Sequence, residues 1–206
     1  MESNKMKLIL ASASPRRKEL MRHLQIPFEI VIKNIPEESH HTDPVSYSKS
    51  IAEMKNEAVF KEIDSNCMVV SADTIVCLGN KIYGTPSGES EARVFLSELA
   101  GKTHSVFTAV CIQVRYNSEV YSHTFVEESR VTFNPISPEL MDRYIATKDS
   151  LDKAGAYGIQ GPSLTFISKV EGDYANVVGF PLSRFINESE EILKPLTNGH
   201  SWFDLF

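Results

Sequence analysis

The chain runs from an apolar stretch, Leu8-Ile9-Leu10-Ala11, straight into Ser12-Ala13-Ser14-Pro15-Arg16-Arg17. No other feature constrains the fold as tightly. Four apolar residues read as a buried strand. Ser14 then stands where a helix N-cap belongs and Pro15 fits the first helical position, with Leu20, Met21 and Leu24 forming an apolar stripe behind them. A strand that feeds directly into a capped helix aims free backbone N–H groups, and the positive end of the helix, at one point in space. Two serines and two arginines at that turn make it a candidate anion site, most naturally for phosphates. An ordinary strand-to-helix turn with surface arginines is the competing interpretation.

The remainder of the chain alternates between strand-like and helix-like segments. Strands are expected at 28–32, 68–70, 75–78 (with a break before it), 81–83, 105–116, 120–126, 131–133 and 163–170. Helices are expected from Asp43-Pro44 to about Ile63, from Ser90 to Leu99, after Ser137-Pro138, and from Pro181 towards Leu193. Gly79-Asn80 and Asn117-Ser118 read as hairpin turns. Crossovers and hairpins together imply an α/β fold: a mixed, twisted sheet flanked by helices. Without a repeat or a Gly/Pro-rich linker, 1–206 reads as a single elongated domain with its core over about 6–194 and a short tail, 195–206. That tail ends in the apolar run Trp202-Phe203-Asp204-Leu205-Phe206, suited to docking on this subunit or on a partner.

Net charge is −6, which argues against a nucleic-acid-coating protein and requires any polyanionic ligand to find local positive groups or a metal ion. Cys67, Cys77 and Cys111 lie in or beside apolar runs without paired spacing and read as reduced core thiols. With no signal peptide or membrane span recognisable after Met1, the expected location is the cytoplasm.

Three further segments carry chemistry. Ser71-Ala72-Asp73-Thr74 follows the 68–70 strand, and in open α/β sheets ligands gather at the carboxyl ends of strands. Asp73 there suits a metal ligand or a general base for water, although an aspartate capping a turn is the commoner occurrence. Glu37-Glu38 offers carboxylates that could share a magnesium ion with Asp73; a solvated acidic loop is the alternative, more so for Glu38. In Asp152-Lys153-Ala154-Gly155-Ala156-Tyr157-Gly158-Ile159-Gln160-Gly161, the glycines allow close backbone approach to a flat ligand. Lys153 offers charge to phosphate, and Gln160 a donor and an acceptor matching the imide edge of uracil or thymine. Packing alone would also explain the glycines. Lys55, on the second helix, is a further phosphate candidate or simply one of several surface lysines. A Walker A pattern is absent, which disfavours a P-loop NTPase.

In order and spacing, these segments resemble the Maf nucleoside triphosphate pyrophosphatases. The matching stretches are 12–17, Ala72-Asp73-Thr74-Ile75-Val76, His104-Ser105-Val106-Phe107-Thr108, 152–161 and 172–182, spread from about Leu8 to about Leu193. The resemblance implies hydrolysis of a nucleoside triphosphate to the monophosphate and pyrophosphate, and a divalent cation, Mg2+ or Mn2+, on Asp73 and Glu37. It also implies a fold like that of the inosine triphosphate pyrophosphatases and, often, a homodimer. Asp73 matches the catalytic proton acceptor. Arg16, Thr74 and Gln160 match the positions tied to base choice in the branch acting on dTTP and UTP. A sister branch acting on 7-methylguanosine triphosphate differs at these points. Phosphate contacts fall to Ser12, Ser14, Arg17, Lys55 and Lys153. One departure stands out: in Gly84-Thr85-Pro86, Thr85 occupies the place of the family's usual lysine. That loss leaves open a catalytically weak nucleotide-binding regulator of cell division. Lys81 is a candidate to reach the same phosphates.

Overall fold

The computed structural model describes residues 5–197 and 199–206. The first four residues, on which part of the leader reading rests, and Asn198 of the tail lie outside the described residues. β1 (Lys7–Leu10) leads into α1 (Pro15–Arg22), with Ser14 as N-cap accepting from the Arg17 N–H. β2 (Glu29–Ile30) and α2 (Pro44–Phe60) follow, and then β3 (Cys67–Leu78) turns back on β4 (Lys81–Tyr83). α3 (Glu89–Leu99), β5 (Thr103–Tyr116), β6 (Glu119–Phe133) and α4 (Pro138–Ala146) continue the chain. An irregular segment with two short 3₁₀ turns, Ala154–Ala156 and Pro162–Thr165, precedes β7 (Ile167–Glu171), α5 (Tyr174–Val178) and α6 (Leu182–Leu193). The strands form one mixed sheet in the order β2-β1-β3-β5-β6-β7, with β4 beside β3. β1 is parallel to β2 and β3, and the remaining pairings are antiparallel.

Four expectations are corrected. β3 runs unbroken through Ser71-Ala72-Asp73-Thr74, each residue paired with β5. A backbone ladder is indifferent to side-chain polarity when the side chains find partners, as Ser71 does by donating to Ala52 O at 2.6 Å. β6 is likewise continuous, because Glu127 pairs with Arg184 and Glu128 accepts from Ser105, so the charged stretch does not interrupt pairing with β5. Residues 162–165 form a 3₁₀ turn opened by Pro162, and the strand begins only at Ile167. The strand expected over 28–32 shortens to Glu29–Ile30, and α5 is an addition to the expected elements.

Alternation along β3 decides what each helix meets. Met68, Val70 and Ala72 face the largest core, with Met21 of α1 and Phe185 of α6. Cys67 and Val69 face Val59 and Phe60 of α2, while Val76 enters a second core with Leu96 of α3 and Met141 of α4. The tail docks on its own subunit: Trp202 is 4% exposed in the largest core, and Leu205 O accepts from Met6 N–H at 2.7 Å.

Candidate active site

Asp73 and Thr74 are neighbours on β3, so their side chains leave opposite faces of the sheet. Asp73 points towards α2 and Thr74 towards α1. Both line a cavity of about 420 Å³ between the α1 N-terminus, α2 and the 149–160 segment.

On the α2 side, Lys55 Nζ donates to Asp73 Oδ1 at 2.9 Å and lies 2.8 Å from Glu37 Oε2. Asp73 is buried at 7% exposure, and the Glu37 side chain is 57% exposed. Two carboxylates from distant parts of the chain therefore converge on one cationic centre. Their hydroxyl-bearing neighbour Tyr47 feels them as well: burial first, then the charges of Asp73 and Glu37, push its phenol pKa up.

On the α1 side, Arg17 ties the turn together. Its Nε donates to Gly179 O and its Nη2 to Thr74 Oγ1, both at 2.9 Å, while Nη1 reaches Ser12 Oγ at 3.5 Å. Burial lowers the guanidinium pKa, and the charge of Asp73 opposes that shift. Thr74 passes the chain onward: Thr108 Oγ1 donates to Asn176 O at 3.0 Å, so the 2.9 Å contact between the two threonines is donated by Thr74. The Thr74 hydroxyl thus accepts from Arg17 of α1 and donates to Thr108 of β5, which in turn bonds to α5. Ser12 Oγ accepts from Ser14 N–H at 3.2 Å, and Ser14 Oγ accepts from Arg17 N–H at 3.4 Å. Each serine keeps its O–H as a donor, beside the first-turn amides of α1.

The opposite wall is the 149–161 segment. Arg16 Nη1 donates to Asp152 Oδ2 at 3.0 Å and Nη2 to Asp152 O at 3.3 Å. Lys153 Nζ binds Asp149 O, Asp149 Oδ1 and Asp152 Oδ1, at 2.7, 2.9 and 2.6 Å. Desolvation pushes the Asp152 carboxyl up, but hydrogen bonds from Lys153 and Arg16 outweigh it and the net shift is down. Gln160 is exposed at the cavity edge. Gly155 has φ +67°, and a Cβ there would stand 2.9 Å from Val76 Cγ2, so this glycine is required for the segment to close on β3.

The structure brings Arg16, Arg17, Ser14, Glu37, Lys55, Asp73, Thr74, Lys153 and Gln160 to one cavity, with Thr85 on the same wall. Ser12 lines an adjoining hollow that shares Ser14, Arg17, Glu37 and Lys55. Lys81 does not compensate for Thr85: it is held by Glu98 at 2.6 Å and lies outside the cavity lining. Asp149, Thr108 and Asn176 are supporting residues that sequence reading missed. Only the spacing of Asp149 four residues before Lys153 hinted at the first of them.

The donor set suits a divalent cation of the Mg2+ type. Among the described residues no cluster of three or more His, Cys, Asp or Glu side chains forms a protein-only cage. Two converging carboxylates, completed by water and substrate phosphates, are the usual provision for magnesium. The charged lining also points that way: Arg16, Arg17, Lys55 and Lys153 are balanced by Glu37, Asp73, Asp149 and Asp152. A bound polyphosphate leaves this neutral cavity with an excess of negative charge, which an additional cation would offset.

The family profile described as "Maf-like protein" matches residues 7–192. A dTTP/UTP pyrophosphatase of Bacillus cereus (strain AH187) is 44% identical over 186 residues, covering 90% of this chain and 95% of that protein. One from Bacillus mycoides (strain KBAB4) is 43% identical over 193 residues, covering 93% and 98%. Among solved structures, a HAM1 protein from Coxiella burnetii aligns with a TM-score of 0.46 at 12% identity, over 90% of this chain and 99% of that one.

Proposed function

This chain belongs to the Maf-like family, and we propose that it is a nucleoside triphosphate pyrophosphatase that hydrolyses dTTP and UTP to the nucleoside monophosphate and pyrophosphate. The observation that carries the mechanism is the convergence of Asp73 and Glu37 on Lys55, beside the N-terminus of α1 and in one cavity with Arg16 and Gln160.

The triphosphate is held by the Ser12 and Ser14 hydroxyls, the Arg16 N–H in the first turn of α1, Arg17 and Lys55. Asp73 accepts a proton from water as the water oxygen bonds to the α-phosphorus. The bond between that phosphorus and its bridging oxygen breaks, and pyrophosphate departs with the electron pair. Lys55 orients Asp73 before substrate arrives through the 2.9 Å ion pair between them. Asp73 and Glu37 are the residues that would hold Mg2+ or Mn2+, which supplies charge neutralisation at the phosphates. Gln160 reads the pyrimidine edge, Arg16 lies against the base and Thr74 fixes the pocket floor.

Three buried free cysteines suit a reducing cytoplasm, and the family resemblance extends the proposal to a homodimer. No helix among the described residues is long and apolar enough to cross a membrane. Pyrophosphate release measured with dTTP, UTP, CTP, GTP and 7-methyl-GTP in magnesium tests the proposal. Turnover led by dTTP and UTP is the expected result. Release led by 7-methyl-GTP would overturn the pyrimidine assignment. UTP binding without any release would favour the regulator, with Thr85 as the lesion.

A further inference from the structure

An alkylammonium group has three N–H donors, and in Lys153 all three have acceptors inside its own loop: Asp149 O, Asp149 Oδ1 and Asp152 Oδ1. The side chain is only 13% exposed. Its stem lies hard against Gly158, where a Cβ would stand 2.6 Å from Lys153 Cδ and Cε. The Asp149 carboxylate lies against Gly161 in the same way, with a Cβ there 3.1 Å from Oδ2. The ion pair is thus a platform for Gly158-Ile159-Gln160-Gly161, and the two glycines flanking Gln160 are what let the loop settle on it. From Lys153 the charges continue through Asp152 to Arg16 on α1.

We propose that Lys153 is a positioning residue for base selection: held by Asp149 and Asp152, it sets the Gly158–Gly161 loop, and with it Gln160, relative to Arg16, and it does not bind the triphosphate. This rests on the pyrimidine nucleotide reading above. Lys55, held by two carboxylate oxygens, has a third N–H to offer a phosphate, whereas Lys153 would have to give up one of its three acceptors, at the expense of the Asp149 side chain, 24% exposed, or of Asp152. A phosphate ligand contributes equally to every nucleotide and to bare polyphosphate. A loop platform contributes only where a base is read.

The test is equilibrium binding of UTP, CTP and inorganic tripolyphosphate to the wild type, Lys153→Met and Gly158→Ala. The second variant keeps the charge but pushes the lysine stem off its seat. Both variants are expected to lose at least tenfold in the UTP-over-CTP affinity ratio, with tripolyphosphate affinity changed less than twofold. A tenfold fall in tripolyphosphate affinity in Lys153→Met with the ratio intact would overturn the proposal, as would no change in either variant. A ligand-independent arm uses hydrogen exchange at Ala156 and Leu164, whose amides bond to Lys153 O and Gly161 O. Exchange there is expected to quicken at least tenfold in Lys153→Met; unchanged protection would contradict the platform. Failure of the wild type to bind UTP would sink the pyrimidine reading, and the exchange arm would still decide for or against Lys153.

Discussion

Lys55 Nζ lies 2.9 Å from Asp73 Oδ1, and the two side chains are only 17% and 10% exposed. With Glu37 on the same ammonium, α2 supplies the counter-charge for a carboxylate buried in a strand otherwise made of apolar and hydrogen-bonded residues. Substituting Lys55→Met leaves Asp73 buried without a counter-charge. Breaking such a pair costs about 3 kcal/mol. Denaturant unfolding is expected to show that loss, and millimolar magnesium to restore a good part of it if the two carboxylates accept a divalent cation. Stability within about 0.5 kcal/mol of wild type would show the pair to be energetically idle.

His104 packs edge-on against Phe133 and Tyr157, with Nε2 2.7 Å from the Tyr157 hydroxyl, while Nδ1 is buried without a partner. Burial lowers its pKa to about 4. Between that value and the unfolded value near 6.5, the unfolded chain binds a proton that the folded chain refuses. The stabilisation is therefore complete above about pH 6.5 and fades as pH falls towards 4, an effect of about 3 kcal/mol. The slope of unfolding free energy against pH over this window is expected to flatten in His104→Asn. An unchanged slope would place the acid sensitivity elsewhere.

Trp202 anchors the tail in the largest core, with Leu205 and Phe206 packed beside it and the Leu205 carbonyl bonded to the amide that precedes β1. Because β1 delivers Ser12 and Ser14, the tail supports the turn that carries these two serines from behind. Trp202→Ala is expected to cost about 3–5 kcal/mol of stability. Thermal unfolding checks this; a change below about 1 kcal/mol would mean that the tail is only loosely applied.

Local signals were strongest where a single element carries its own punctuation. Ser14-Pro15, Asp43-Pro44 and Ser137-Pro138 each announce a helix start, and all three begin helices, with the first residue of each pair accepting the capping hydrogen bond. Polar residues inside strands misled, because Ser71, Asp73 and Thr74 are satisfied by Ala52, Lys55 and Arg17, partners from other elements that only the tertiary fold supplies. The site was legible as a set of residues and illegible as a circuit. Arg16, Arg17, Lys55 and Lys153 all read as cations awaiting phosphate, yet in the fold each is already engaged, three of them by carboxylates and Arg17 by Thr74 and Gly179. Such pairing depends on residues up to 162 positions apart, as in Arg17 and Gly179, and no local periodicity encodes it.

Asp73 is the proposed acceptor of the proton from the attacking water. The most direct measurement is pyrophosphate release from UTP by Asp73→Asn, alongside UTP binding by the same protein. Loss of a catalytic base typically removes about 10²–10⁴-fold in rate. A fall of that size is expected, with UTP affinity within a few-fold of wild type. Turnover within about threefold of wild type would contradict it and move the proton acceptor to another group in the cavity.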